Sequence, residues 1–507
     1  MQRVILTVSL LLLAFLPASC WNGGDIPGAG VTGSTIGPVE IDIRTRGAVP
    51  LSREIYGFNT TMMGGDYAYD DRDFMALSAT LKPVIMRFPG GSDSNFYHWR
   101  ESGFRRSELA ISYGENLNRR NLNNFARLRR RRGGVMPFDD FMDYCRKYGI
   151  KPLIVVNLYT GTPEESAAWV RYARTKGYEV YGWELGNEPY LPFYRNRFPN
   201  VRTYLAEAKR HAKLMREADP GIRLAVPANP GVFHNGWWSY GALWNKALAG
   251  ENFYDAYTVH TYIKLKEHFD VGYRDDPEAF KAGLFALTDR SLSRAVDGFR
   301  RLFGDREMWV TEWNIMKPLD EPFNVADTLL HAMYCGDFFL DMVERQDVIK
   351  VSNYHTIAGP WNGFPVFSPV YFNREPSGRS IKRSCFMSFN IIGDVFAASS
   401  LFYPLALKNN VSPRDVTPPL RAVAVGGGGV VFVLVSNRSG AEVPVRFSMD
   451  GSRRRGPFPY RFLGGERLTL RARKGEMEVR AIELSSEAVI PPNSFGVVEL
   501  RPASMAR

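Results

Sequence analysis

The stretch Tyr181-Gly-Trp-Glu-Leu-Gly-Asn-Glu-Pro189 decides the fold. Its first half reads as an apolar strand, and Gly186 and Pro189 then end that strand, because proline cannot donate to a sheet ladder. Proline also restricts the residue before it, so Glu188 is expected in an extended conformation. The pattern places a carboxylate at the carboxyl end of a buried strand.

The same unit recurs along the chain as a short apolar strand, a polar loop and a helix. Eight strands fit, at Ile55–Asn59, Val84–Phe88, Pro152–Asn157, Val180–Leu185, Ile222–Pro227, Ala256–Tyr262, Met308–Glu312 and Val348–His355. Helical patterns lie at Phe138–Tyr148, Pro163–Thr175, Arg202–Ala218, Pro277–Phe303 and Val325–Val343. Near-continuous apolar strands that alternate with helices indicate a covered parallel sheet. Eight units predict a (β/α)8 TIM barrel over residues 39–400, and a doubly wound open sheet is the alternative.

Beyond residue 400 the pattern changes to short strands and turns. Arg421–Val425 and Val430–Val435 flank a glycine turn, and Phe495–Leu500 adds further β pattern. This predicts an all-β sandwich over residues 401–507. The alternating strand Val39–Ile43 is expected to join that sandwich, although it opens the barrel segment.

The first 20 residues have the three regions of a secretory signal peptide: Arg3, the apolar run Val4–Leu16, and small residues before Cys20. The run is shorter than the roughly 20 residues that span a bilayer. Cys20 resembles a bacterial lipoprotein processing site, which would anchor the chain by a lipid, and ordinary cleavage is the alternative. The glycine-rich residues 21–38 predict a flexible tether. An exported protein is expected, either a cell-envelope lipoprotein or a periplasmic or extracellular protein.

The net charge of +11 allows nucleic acid, an anionic membrane or an acidic polysaccharide as partner. No nucleic-acid-binding motif is present in the sequence, so no nucleic acid is expected. An arginine-rich insertion, residues 105–132, follows the second strand and would overhang the catalytic face of a barrel. We hypothesise that it attracts an acidic polysaccharide, and a solvated loop is the alternative.

The spacing of the cysteines and histidines along the sequence matches no common metal-binding motif. Cys145, Cys335 and Cys385 are isolated, without a Cys-x-x-Cys pair, and the seven histidines contain no His-Glu-x-x-His pattern. We therefore expect neither a disulfide framework, nor a metal, nor another cofactor, and interpret the cysteines as small core residues.

A second carboxylate, Glu312, ends the seventh strand in Trp309-Val-Thr-Glu-Trp-Asn314. In a barrel the ends of the fourth and seventh strands share one rim. Two carboxyl groups about 5–5.5 Å apart are the geometry of a retaining glycosidase. Glu312 would then attack the anomeric carbon as nucleophile, and Glu188 would protonate the leaving oxygen and later activate water.

Several motifs resemble glycoside hydrolase clan A. The two central ones are Gly186-Asn-Glu-Pro189 after strand four and Thr311-Glu-Trp-Asn314 after strand seven. Arg87-Phe-Pro-Gly-Gly91 and Val156-Asn-Leu158 are similar to family 51 α-L-arabinofuranosidases, with families 39 and 79 as neighbours. The resemblance implies a retaining barrel enzyme whose β-sandwich is completed by both chain ends.

The resemblance also implies residues that bind substrate or support the two glutamates: Asn187, Arg87, His260, Tyr262, Asn157, Trp313 and Trp361. Asn187 would bind the sugar 2-hydroxyl, Arg87 would support the nucleophile, Tyr262 would hydrogen-bond it, and Trp361 would stack on the sugar. The alternatives are a structural ion pair for Arg87, a satisfied core histidine for His260, and ordinary packing for Trp361.

The sequence therefore predicts an exported retaining glycoside hydrolase of the α-L-arabinofuranosidase type, acting on a carbohydrate. Among enzymes, the alternative is a β-glucuronidase or β-xylosidase relative. Outside enzymes, the alternative is a non-catalytic glycan-binding surface lipoprotein that keeps the barrel.

Overall fold

The computed structural model describes residues 38–60, 72–105, 107–108, 136–230, 240–269, 272–316, 325–359, 370–372, 380–411 and 417–501. The predicted signal peptide and tether, residues 1–38, lie outside these ranges except for Pro38, and so does most of the arginine-rich insertion. Among the helices of these ranges, none combines the length and the apolar character needed to cross a bilayer.

The eight predicted strands form a closed parallel barrel. Each pairs with the next along the chain, and the eighth pairs with the first, which excludes the open sheet. The observed strands are Gly57–Asn59, Ile85–Phe88, Lys151–Val156, Gly182–Leu185, Leu224–Pro227, Ala256–Lys264, Glu307–Met316 and Ile349–Tyr354. The predicted (β/α)8 barrel is confirmed.

The predicted helices are present. The helices of the described ranges are Arg72–Ala79, Phe138–Tyr148, Pro163–Thr175, Val201–Ala218, Tyr240–Ala249, Leu265–His268, Pro277–Phe303, Leu329–Glu344 and Ser384–Ala397. The prediction of a helix from Val325 was four residues too early. Thr328 is the N-cap there, since its hydroxyl accepts a hydrogen bond from the His331 amide at 3.3 Å.

The floor of the barrel interior is apolar. Its side chains form one buried cluster of Ile85, Leu153, Ala225, Ala256, Trp309 and Val351. Gly182 leaves space for the Trp309 ring, because a Cβ there would lie 2.5 Å from Trp309 Cη2. Side chains two positions further along a strand share its face. Arg87 and Glu184, which follow Ile85 and Gly182 in this way, therefore lie above the floor, toward the carboxyl ends of the strands.

Two β-sheets form the sandwich around a second core. The larger sheet contains Val49–Pro50, Leu401–Tyr403, Leu420–Gly427, Val430–Asn437, Ser494–Leu500, Phe458–Gly464 and Arg480–Leu484. The smaller contains Leu405–Lys408, Val39–Ile43, Val443–Met449, Ser452–Arg453 and Ala488–Ile490. Val39–Ile43 lies between Leu405–Lys408 and Val443–Met449, so the strand that opens the barrel segment pairs within the sandwich.

A buried ion cluster joins the sandwich to the barrel helices. The Arg438 guanidinium donates to both carboxylate oxygens of Asp337, at 2.8 and 2.6 Å, and to both of Asp289. Asp337 is only 1% exposed. Burial alone would raise the pKa of Asp337, but Arg438 and Arg421 lower it below its usual value. The carboxylate is therefore ionised and paired inside the protein.

Replacing Asp337 with asparagine is expected to lower the free energy of unfolding by about 3 kcal/mol at neutral pH, because one partner of a buried ion pair is lost. The matched control is Asp347→Asn, whose exposed pair with Arg300 spans 3.1 Å between side chains 63% and 58% exposed. It should cost less than about 1 kcal/mol. Denaturant unfolding measures both, and equal losses would contradict the role of the cluster.

The Asp337 contribution should also depend on pH. Its folded pKa lies below the unfolded value of about 3.9, so the stabilisation is complete above that pH and is lost as the pH falls through the folded pKa. The difference between wild type and Asp337→Asn should therefore shrink in acid.

Candidate active site

The carboxyl ends of the barrel strands carry a cluster of polar side chains, all buried except Glu188 and Tyr262, which are half-buried. Its members are Arg87, Glu184, Asn187, Glu188, His260, Tyr262, Glu312 and His355. They come from strands two, four, six, seven and eight or from the residues just after them. Barrel closure thus brings together residues that are far apart in the sequence.

Glu188 does not have the predicted extended conformation. Its φ is +46°, in the left-handed region, and Gly186, two residues earlier, also has a positive φ of +88°. Two sets of contacts override the preference set by Pro189: within the turn, the Leu191 amide donates to the Glu188 carbonyl at 3.0 Å, and the distant Asn95 side chain pairs with both backbone polar groups of Asn187. Such strain persists only where the surroundings hold it. It aims Glu188 toward His260, with Nδ1 2.9 Å from Oε1.

Glu312 is held on both carboxylate oxygens. Arg87 Nη1 donates to Oε1 at 2.8 Å, and the Tyr262 hydroxyl donates to Oε2 at 2.5 Å. Nδ1 of His260 and Nδ1 of His355 lie 3.6 and 3.7 Å from Oε2. Burial would raise the pKa of Glu312, but the two imidazoles, Arg87 and the Tyr262 hydrogen bond lower it well below its usual value. Glu312 is therefore an ionised carboxylate in a buried position.

The two glutamates face each other at short range. One carboxylate oxygen of Glu188, one of Glu312 and a ring nitrogen of His260 all lie within 4.8 Å of one another. Carboxyl groups of retaining glycosidases are about 5–5.5 Å apart, and those of inverting enzymes about 6.5–9.5 Å. Glu188 is the more accessible of the two, with its side chain 19% exposed against 6% for Glu312. The geometry suits direct attack by Glu312 and proton exchange at Glu188.

These three donors could also be considered as metal ligands. However, both oxygens of Glu312 already accept hydrogen bonds from Arg87 and Tyr262, and Nδ1 of His260 is engaged with Glu188. A guanidinium in direct contact with one ligand also opposes a bound cation. The arrangement therefore fits acid–base and nucleophilic chemistry better than metal binding.

Glu184 was absent from the predicted site, yet it anchors Arg87. Nε and Nη2 of Arg87 donate to the two oxygens of Glu184 at 2.9 Å each, and Nη2 also donates to Asn187 Oδ1 at 2.9 Å. Burial would lower the pKa of Arg87, but Glu184 and Glu312 raise it, so the guanidinium stays charged. The signal in the sequence was a glutamate in the middle of an otherwise apolar strand.

The pKa values of His260 and His355 are shifted in opposite directions. Burial lowers the pKa of both rings. At His260 the nearby Glu312 and Glu188 more than offset this, so its pKa is raised, whereas the pKa of His355 stays lowered. His355, at the end of strand eight, was not predicted as a site residue. A polar residue at a barrel strand end was the available signal.

Asn187 and Asn157, two further predicted residues, differ in whether their side-chain NH2 groups have a hydrogen-bond partner. Asn187 is buried, and its Nδ2 has no partner among the described residues, which leaves a donor at the site. Asn157 uses its amide within the loop after strand three, accepting from the amides of Tyr159 and Thr160 and donating to the Thr160 hydroxyl. Its role in substrate binding stays a prediction.

Trp313 points to the other side of strand seven from Glu312. Its indole donates to the Ser352 hydroxyl at 2.8 Å, and its ring packs against Phe338 and Tyr354. It supports the strand that carries Glu312 and does not line the site. Trp361 lies outside the described residues, so its predicted stacking role stays a prediction.

Replacing Tyr262 with phenylalanine is expected to shift the acid limb of the kcat/KM profile to higher pH by about one to two units, because it removes a charge-assisted hydrogen bond worth about 1.5–3 kcal/mol that favours ionised Glu312. The control is Tyr257→Phe on the same strand, whose hydroxyl has no partner among the described residues. Its profile should match wild type. An unmoved acid limb in Tyr262→Phe would contradict the assigned hydrogen bond.

Fold and site together define a class: a closed parallel barrel with one glutamate after strand four and a second within strand seven has the architecture of the barrel glycoside hydrolases. Comparison with known proteins agrees, although no family model matches the chain. The chain is 24% identical over 305 residues to α-L-arabinofuranosidase C of Emericella nidulans, covering 53% of this chain and 56% of the relative. It thus spans about half the length of the curated relatives that it matches first.

A longer match exists to the probable α-L-arabinofuranosidase C of Aspergillus niger, with 24% identity over 480 residues, 85% of this chain and 88% of the relative. Among solved structures, the GH51 arabinofuranosidase from Xanthomonas axonopodis pv. citri superposes with a TM-score of 0.67 at 16% identity, over 92% of this chain and all of that one. At that identity the likeness shows the fold. The resemblance to glycoside hydrolase clan A, and within it to family 51, is confirmed.

Proposed function

We propose that the chain is a retaining glycoside hydrolase of the α-L-arabinofuranosidase type. The observation that carries the proposal is the separation of at most 4.8 Å between one oxygen of Glu188 and one of Glu312. This short approach is closer to the separation of about 5–5.5 Å between the carboxyl groups of retaining enzymes than to the roughly 6.5–9.5 Å of inverting enzymes. The names of the curated relatives and structural neighbours support the choice of sugar.

In the first step, a Glu312 oxygen attacks the anomeric carbon and the bond to the leaving oxygen breaks. Glu188 donates its proton to that oxygen, so the alcohol leaves neutral and the sugar stays bound as a glycosyl ester of Glu312. Arg87 and Tyr262 keep the attacking carboxylate ionised and oriented. The unpartnered Nδ2 of Asn187 offers a hydrogen bond to a sugar hydroxyl beside the reacting carbon.

In the second step, Glu188, now a carboxylate, accepts a proton from water as the water oxygen attacks the anomeric carbon. The ester bond to Glu312 breaks, and the product keeps the configuration of the substrate. His260 contacts both glutamates, at 2.9 Å from Glu188 and 3.6 Å from Glu312. Glu312 and Glu188 raise the pKa of His260, so its protonated form is favoured beside two groups that alternate in charge during the cycle.

A panel of aryl glycosides tests the substrate. We expect the wild-type protein to hydrolyse an aryl α-L-arabinofuranoside with a higher kcat/KM than an aryl β-D-xyloside or β-D-glucuronide. Glu312→Gln, purified in parallel, reports contaminating activity. Preference for the xyloside or the glucuronide would replace the proposed sugar by one of those alternatives. No turnover of any substrate would favour a glycan-binding protein.

We further propose that the protein is exported, on the basis of the signal-like residues 1–20. Intact mass spectrometry of the mature protein tests both forms of this proposal. A diacylglyceryl adduct on Cys20 would establish a lipoprotein, and an unmodified terminus created by cleavage would establish a soluble exported form. Retention of Met1 and the following residues in the cell-derived protein would contradict export.

Attraction of an acidic polysaccharide by the arginine-rich insertion also remains a proposal. Arg105, at its described edge, is paired with Glu101 at 2.9 Å, and Arg129–Arg132 lie outside the described residues. Replacing Arg129–Arg132 with serine should reduce kcat/KM on anionic glycans more than on neutral ones, and more at low salt. If the substitution changed kcat/KM equally on anionic and neutral glycans, or on neither, the proposal would be contradicted.

A further inference from the structure

A second cluster of metal-ligating side chains lies away from the two glutamates. His331 and Cys335 are one turn apart on helix Leu329–Glu344, and Cys385 lies on helix Ser384–Ala397. All three are buried, and one donor atom of each lies within 4.8 Å of the other two. The Ser388 hydroxyl donates to the Ala332 carbonyl at 2.7 Å and joins the two helices beside the cluster.

The distances among His331, Cys335 and Tyr354 match the edges of a small coordination polyhedron. His331 Nε2 lies 3.6 Å from Cys335 Sγ. The Tyr354 hydroxyl adds a fourth donor, 3.4 Å from His331 Nε2 and 3.8 Å from Cys335 Sγ. Zinc bonds of about 2.3 Å to sulfur and 2.0–2.1 Å to nitrogen give a tetrahedral sulfur–nitrogen edge of about 3.5 Å. Three of the four side chains thus already have the spacing that an ion needs, and the donor atom of Cys385 lies within 4.8 Å of those of His331 and Cys335.

We propose that His331, Cys335 and Cys385 bind a zinc ion, with the Tyr354 hydroxyl oxygen at the fourth corner. Thiolate and imidazole ligands in a tetrahedral arrangement select zinc over harder cations. Two thiolates neutralise the ion's two positive charges, so the complex is neutral, as a site inside an apolar core requires. Binding releases the two thiol protons to solvent.

The proposed ion is structural. The Tyr354 hydroxyl lies 3.1 Å from Asn314 Oδ1, so its hydrogen can go to Asn314 while its oxygen faces the ion. Asn314 and Trp313 follow Glu312 on strand seven, and Trp313 packs edge-on against Tyr354. The site therefore braces two helices and strand eight behind the nucleophile's strand without touching reacting atoms. Spacing along the sequence does not reveal it, because His331 and Cys385 lie on different helices.

Metal analysis of the full chain, purified without immobilised-metal chromatography, tests the proposal. We expect one equivalent of zinc to survive dialysis against metal-free buffer, and Cys335→Ser and Cys385→Ser each to lose it. The matched control is Cys145→Ser, which replaces another buried free cysteine and should retain one equivalent of zinc. Folded wild-type protein that contains no zinc would overturn the proposal. This holds whether thiol titration after unfolding finds Cys335 and Cys385 free or joined in a disulfide.

Cobalt substitution keeps the test decisive if the serine variants do not fold. Wild-type protein produced in cobalt medium should show thiolate-to-cobalt charge-transfer absorption together with the strong visible bands of tetrahedral cobalt. The Cys145→Ser protein should show the same spectrum. A folded cobalt-grown wild-type protein without charge-transfer absorption would overturn the proposal, because it would show that no thiolate binds the ion.

Discussion

Replacing Glu312 with glutamine is expected to lower kcat by about 10⁴-fold or more, the range found when a nucleophile is removed. The amide is nearly isosteric, and its oxygen can still accept the hydrogen bond from Arg87 Nη1, while its NH2 group can donate to the Tyr262 hydroxyl oxygen once that hydroxyl turns, so the fold of the site should persist. It cannot form the glycosyl ester. The loss should therefore be the same for good and poor leaving groups, because it falls on bond formation to the anomeric carbon.

The matched control is Glu307→Gln on the same strand. Glu307 lies at the amino end of strand seven, is partly exposed, and pairs with Arg223 away from the catalytic rim. Its kcat should stay within about twofold of wild type, as for a surface substitution away from special features. Circular dichroism and the unfolding midpoint show whether both variants are folded. A similar loss of activity in both would trace the effect to the barrel and contradict the assignment of Glu312.

Replacing Glu188 with alanine is expected to give a loss that depends on the leaving group. For a poor leaving group kcat should fall by about 10²–10⁴, the contribution of general acid catalysis. For an activated aryl group the first step needs little protonation, and attack of water on the glycosyl ester becomes limiting. Added azide should then restore turnover and yield a glycosyl azide of retained configuration, because a small anion needs no general base and fits where the carboxylate was.

Glu179→Ala is the control for this substitution, since Glu179 is exposed and lies just before the strand that Glu188 follows. It should show neither the loss nor the azide effect. An equal loss for all leaving groups in Glu188→Ala, without a glycosyl azide product, would contradict the assignment of Glu188 as acid and base. His260, which contacts Glu188 at 2.9 Å, would then be the next candidate.

Much of the fold could be predicted because the barrel has a simple periodic cause. Each strand is a short apolar run, buried on both faces, with a glycine, proline or polar turn after it. Glu188 and Glu312 could be singled out for the same reason, since each interrupts an apolar run. Strand seven was predicted to end at Glu312, but it continues to Met316, because it stays paired with strand six. Val39–Ile43 was also assigned to the sandwich, where its alternating residues contribute to the sandwich core.

The parts that could not be predicted depend on contacts between distant segments. The left-handed φ of Glu188 accompanies the pairing of the Asn187 backbone with the side chain of Asn95, 92 residues earlier in the chain. In the sequence Glu184 is an isolated charge within an apolar strand, and only the folded structure shows Arg87 beside it. Cys335 and Cys385 read as isolated cysteines because their proximity depends on how two helices pack.

The central claim is that Glu312 forms a covalent glycosyl ester while Glu188 moves the proton. Labelling with a 2-deoxy-2-fluoro arabinofuranoside that carries an activated leaving group tests it most directly, since the fluorine slows breakdown of the ester. Intact mass spectrometry should show one added sugar, and peptide mapping should place it on Glu312, with none on Glu312→Gln. Steady hydrolysis of arabinofuranosides by a protein that never labels, or labelling of a residue other than Glu312, would contradict the account.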